Sequence, residues 1–204
     1  MKTVSGLFDT YDDAVSAVRA IEAAGVPRDD ISIIANNTGE WYNEETSGAA
    51  TGAETGAGIG AVAGGAGGLL AGLGLMAVPG VGPVVAAGWL VSTLAGAAAG
   101  AVVGGAAGGL IGALTNAGVS EQDAHVYAEG IRRGGTLVTA RVEDGLQGTT
   151  EAILQRARRI DIEARRNDYT AQGWSRFDET SPPLTAREAE LERERYAAQV
   201  RRSG

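Results

Sequence analysis

Cysteine is absent, which excludes disulfides, thiolate metal centres and cysteine nucleophiles. Lysine occurs once, at Lys2, and histidine once, at His125. The glycine clusters at Gly56–Gly60 and Gly64–Gly68 are therefore not followed by the Lys-Ser or Lys-Thr that a phosphate loop needs. Aromatic residues make up 5% of the chain, so no stacking platform for bases is evident. A formal net charge of −8 argues against a nucleic-acid partner, which needs a basic surface to neutralise phosphates. Residues 1–10 lack the basic and apolar regions of a secretory signal, which predicts a cytoplasmic location for the flanking parts. The largest absence is charge itself. No residue between Glu54 and Glu121 is charged.

That neutral segment carries a regular pattern. Gly52, Gly56, Gly60, Gly64, Gly68 and Gly72 follow Gly48 at a spacing of four. The rhythm returns at Gly88, Gly96, Gly100, Gly104, Gly108 and Gly112, with Ser92 in the one gap. A period of four places glycines on one stripe of a helix, where two backbones can approach closely. The pattern predicts a glycine-zipper hairpin of antiparallel helices, roughly 57–78 and 84–114, broken by Pro79-Gly80-Val81-Gly82-Pro83. An uncharged helix over 57–78 would extend about 33 Å, enough to cross a bilayer. Membrane lipid is thus an expected partner and the inner membrane an expected location. The alternative is a soluble assembly in which hairpins of several copies bury one another without lipid.

The flanks read as sheet and helix. Residues 3–8 alternate as a strand, and Asp9-Thr10 opens a helix whose apolar positions run from Ala14 to Ala24. Gly25 and Pro27 stop it, and Ile31–Ala35 forms a second strand. After the insert, Ser120 caps a helix through about Arg133. Thr136–Val142 is then the best strand in the chain, followed by a helix from about Thr149 to Arg159 and a short edge strand over 160–164. Neither flank alone buries enough apolar surface, so the two are expected to form one domain. The expected boundaries are 1–47, the insert 48–117, 118–165, and a C-terminal arm with a charged helix over 166–204.

Val4-Ser5-Gly6-Leu7-Phe8-Asp9, Gly25-Val26-Pro27 and Asp29–Ile33 resemble the general stress protein 17M-like family. So do Gly118-Val119-Ser120 through Tyr127, and Gly134–Val138. The resemblance covers roughly the first 165 residues. It implies a bacterial stress-associated protein of α+β class, with a ferredoxin-like domain interrupted by a Gly/Ala-rich insertion and no established chemistry.

No catalytic constellation emerges, and neither a cofactor nor a small-molecule substrate is implied. Glu121, His125 and Glu129 share one helix face, but a solvated face with i, i+4 contacts is the favoured reading over a metal site. Carboxylate pairs such as Asp12-Asp13 and Asp29-Asp30 read as caps and turns. In the tail, Trp174 and Phe177 lie in a segment without periodicity, and Thr185 with Glu188 forms a capping box ahead of the charged helix. Gly173-Trp174, Phe177-Asp178 and Pro182-Pro183 resemble segments of other bacterial stress proteins. They suggest an arm docking on a neighbouring subunit or partner. The expected function is a non-enzymatic stress protein that associates with membrane and self-assembles. A self-assembling scaffold without lipid is second, and a ligand-binding or sensory domain third.

Overall fold

Strand β1 (Lys2–Phe8) and strand β2 (Ile31–Asn36) flank helix α1 (Tyr11–Ala23), as the alternation and capping signals require. The Thr10 hydroxyl accepts the Asp13 amide at 3.2 Å and so caps α1, while Gly25 at φ +97° ends the turn beyond it. The computed structural model describes residues 1–42, 73–100 and 109–203. Strands β3 (Gly74–Val78) and β4 (Gly82–Gly88) come next, then helices α2 (Trp89–Gly100), α3 (Gly109–Asn116) and α4 (Glu121–Arg132). Strand β5 (Thr136–Val142) and helix α5 (Asp144–Arg156) follow, and helices α6 (Ile162–Ala171) and α7 (Ala186–Ser203) complete the described elements.

The class is α+β. One five-stranded sheet has the order β1-β5-β2-β4-β3, with every neighbouring pair antiparallel. Both faces are covered. Val4, Phe8, Ile33, Val85, Val138 and Ala140 face one core with Val18 and Ile21 of α1 and Leu154 of α5. Leu7, Ile34, Val84, Ala86 and Leu137 face the other with Leu90, Leu94, Leu114, Ala128 and Ile131 from α2, α3 and α4. A strand buried on both faces needs apolar residues in an unbroken run rather than in alternation.

That requirement corrects the expected hairpin. Residues 74–78 and 84–88, assigned above to two long helices, are strands, and Pro79–Val81 is the loop between them. Val84 and Val85 are fully buried in β4, whose β-branched pair beside Pro83 favours extended backbone. An apolar run of this kind cannot be told from a buried helix by periodicity, and the glycine rhythm tipped the reading. Gly88 ends β4 at φ +93° instead of lying on a helix stripe. Gly96 and Gly100 lie in α2, and Gly112 is buried in α3. Gly52, Gly56, Gly60, Gly64, Gly68, Gly72, Gly104 and Gly108 lie outside the described residues.

The membrane reading is overturned with it. Among the described residues no helix is long and apolar enough to cross a membrane. Helix α2 has 12 residues, about 18 Å, against roughly 30 Å of hydrocarbon. The expected membrane association, lipid partner and inner-membrane location are withdrawn. The expected edge strand over 160–164 is also absent: Ile160 donates one backbone hydrogen bond to Leu7 at 2.8 Å, and α6 then begins at Ile162. Asp161 accepts the Glu163 and Ala164 amides, a side-chain cap that turns the chain into a helix.

A Cβ on Gly88 would run into the Ile31 carbonyl oxygen and stand 2.7 Å from the Ser32 Cα. Gly88→Ala should therefore cost at least about 2 kcal/mol through strain and sheet displacement. Urea unfolding is expected to show a lower midpoint with an unchanged slope.

Candidate functional site

The most elaborate polar packing lies where the C-terminal arm returns to the domain. Arg165 and Tyr169 stand one turn apart on α6 and are both buried. Arg165 Nη2 donates to both carboxylate oxygens of Asp9, at 2.9 and 3.1 Å. Its guanidinium carbon lies 3.6 Å from the centre of the Tyr196 ring on α7. Arg133, just past α4, lies 4.3 Å from the Tyr169 ring centre and donates to Glu129 at 2.6 Å, Gln172 at 2.7 Å and Glu192 at 3.0 Å. Tyr169 meets Trp174 and Tyr196 edge-on, with centroids 5.5 and 6.3 Å away. Two cations thus alternate with aromatic faces, an arrangement strengthened by removal from water.

Electrostatics follow the packing. Burial works against the charge of Arg165, but Tyr169 and Asp9 more than offset it and hold the guanidinium above its ordinary pKa. Burial drives the Tyr169 hydroxyl well above its ordinary value, against the attraction of Arg165. The Arg165–Asp9 pair is only partly buried, since Asp9 keeps access to the neighbouring cleft, so removing Asp9 should cost less than the roughly 3–5 kcal/mol of a fully buried pair.

From this anchor the arm crosses the β3–β4 loop. Phe177 is 3% exposed and joins the core formed by Val78, Val81 and Leu110. The approach is so close that only glycine fits beneath it. A Cβ on Gly80 (φ +72°) would lie 2.8 Å from the Asp178 carbonyl oxygen and 2.9 Å from the Phe177 ring. A Cβ on Gly82 (φ +100°) would lie 2.8 Å from Pro183 Cβ, and one on Gly109 (φ +76°) 2.7 Å from Glu179 Oε1. Glu179 thereby stands at the N-terminus of α3, where the helix dipole favours a carboxylate. Burial nonetheless raises its pKa, against the attraction of His125.

The structure places both predicted docking rings within their own chain: Trp174 on Tyr169, Phe177 under the hairpin loop. Arg165, Tyr169 and Tyr196 were not singled out by sequence, although an Arg and a Tyr four apart is the signal of a shared helix face. His125 Nε2 lies 3.9 Å from Glu121, but Glu129 is 2% exposed and held by Arg132 and Arg133. Among the described residues no three histidine or carboxylate groups are placed to hold a metal ion.

With this geometry in view, comparison gives a partial answer. Residues 3–77 match the heat induced stress protein YflT domain. The YflT-like segment contains α1 and β2 and all but one residue each of β1 and β3, and its match stops short of the 165 residues over which a resemblance is read. No curated protein and no solved structure matches the chain.

Gly80→Ala should lift the arm from its seat. Proteolysis between Gly173 and Thr185 is expected to quicken about tenfold or more, since local opening sets cleavage. Gly145→Ala, with open space around it, should leave the rate unchanged. Arm docking should also respond to pH. A carboxyl raised by burial binds protons more tightly when docked, so the Glu179 contribution falls as pH rises above the ordinary 4.5. Asp178, held below its ordinary value by hydrogen bonds from Thr180 and Ser181, and Glu188, held low by Thr185, lose their bonds at lower pH. Protection of the arm should peak between these limits, and Glu179→Gln should abolish the loss on the alkaline side.

Proposed function

We propose that the chain is a non-catalytic stress-response protein that assembles with copies of itself through its uncharged segment. The observation that carries this reading is α2. From Trp89 to Gly100 it contains no charged residue, and Trp89, Val91 and Thr93 remain only half-buried. A helix without a polar face requires cover on all sides. Its first turns meet the sheet and α3 on one side, and a second copy would cover another. Gly96, Gly100 and the remaining fourfold glycines serve in this reading as close-packing positions between helices. The assembly requires no bilayer.

The domain boundaries given above belong to the same proposal, as does a ferredoxin-like ancestry. In its favour, β1 and β2 run parallel on either side of β5, a split β-α-β arrangement. Residues 74–88, which supply two strands, would then be the base of the insertion, and the arm seated on Gly80 and Gly82 would tie that base to the C-terminal helices.

Sedimentation velocity without detergent should show a lipid-free particle of several subunits. Replacing Gly96 and Gly100 by leucine should shift it to smaller species while circular dichroism is retained. A native chain that sediments as a monomer at all concentrations would sink the proposal.

A further inference from the structure

A cleft of about 580 Å³ opens between α7 and the end of the sheet where β1 and β2 finish. Its volume falls within the range of small-molecule sites. Tyr11 and Trp41 line it with ring centroids 4.6 Å apart and planes tilted by 49°. Trp41 is 43% exposed, yet it is held in place, because its indole N–H donates to the Asn36 carbonyl at 2.7 Å. An exposed indole fixed at the mouth of a cleft is an aromatic face prepared for a ligand. Burial pushes the Tyr11 hydroxyl up to about 12, so that ring is neutral as well.

The charges around the rings select the ligand. Four carboxylates line the cleft, Asp9, Asp13, Glu190 and Glu194, against two guanidiniums, Arg158 and Arg193. Asp9 is taken by Arg165, and Asp13 lies 3.6 Å from Arg158. Glu190 and Glu194 are one turn apart on α7, both exposed, with Arg193 as the neighbouring countercharge. The balance left on that wall is negative. Among the described residues only Glu40 and Arg158 are non-glycine with positive φ, at +50° and +66°. Arg158 takes it as the left-handed cap that ends α5, with the Arg159 amide bonded back to Leu154, and Glu40 takes it in the turn that delivers Trp41 to the cleft.

We propose that this cleft binds a small organic cation of the alkylammonium class, its head against the Trp41 and Tyr11 rings and facing Glu190 and Glu194. Aromatic faces with nearby carboxylates recognise such cations by cation–π attraction and charge together. An anion would meet the carboxylate excess, and a metal ion lacks a set of three converging ligands among the described residues. Because one wall is α7 and the other is the sheet end with α1, an occupant bridges the arm and the domain. The site is separate from the self-association surface.

Isothermal titration of the full chain with choline, and with the neutral isostere in which carbon replaces the nitrogen, tests the assignment. Choline should saturate one site, and the isostere should bind about tenfold more weakly or worse. Trp41→Ala and the pair Glu190→Gln with Glu194→Gln should each weaken choline about tenfold; Glu190 and Glu194 are exposed, so the melting temperature of that pair variant should hold. Choline should also slow proteolysis of α7 in the native chain and not in Trp41→Ala. The proposal is overturned by equal affinity for the isostere, by no saturation up to about 10 mM choline, or by variants that bind as the native chain does.

Discussion

Everything in this fold hangs on one strand that arrives late. β5 pairs with β1 on one side, from Lys2 opposite Val142 to Phe8 opposite Thr136, and with β2 on the other. Its residues are buried apart from half-exposed Arg141, and they contribute to both cores. Without it β1 and β2 would share no hydrogen bond, and α1 would cover two separated ribbons. The two flanks of the neutral segment are therefore halves of one sheet, in the sense that neither contains a complete ladder.

The neutral segment is correspondingly less autonomous than its composition suggests. Its β4 pairs with β2, and α2 and α3 line the same core as α4. The C-terminal arm then crosses it, with glycine the only residue that fits beneath the chain at Gly80 and Gly82. Sheet, neutral segment and arm are thus interlocked. The arginine–tyrosine stack around Arg165 and Tyr169 fixes the far end of the arm, and the glycine seat fixes its middle. What the YflT-like match describes is one part of this arrangement; the stack and the arm lie beyond it.

Legibility in the sequence followed the local signals. Thr10, Gly25, Ser120 and the Thr185–Glu188 box each act through neighbours a few residues away, so the elements they bound were readable. The β3–β4 hairpin was not. In β4, a strand buried on both faces presents the same unbroken apolar text as a buried helix, and only its partner β2 decides between them; β3 beyond it is a half-exposed edge strand. The arm is legible only as a segment without periodicity that carries Trp174 and Phe177, and its seat depends on glycines whose significance comes from what presses on them. Arg165 and Tyr169 stayed hidden because the segment ahead of them, Ile160–Ala164, alternates like a strand while Asp161 caps a helix within it.

The order of synthesis gives the central position of β5 a further cost. Translation proceeds at roughly 5–20 residues per second, so the slot between β1 and β2 stays vacant for about 5–20 s after β2 is made. During that interval the ribosome extrudes the whole uncharged segment, beside strands still lacking their common neighbour. Pairings between residues this distant in sequence are slow to close, and the open edges invite association with other chains. A protein of this design is itself a demanding client of the folding machinery whose load heat increases.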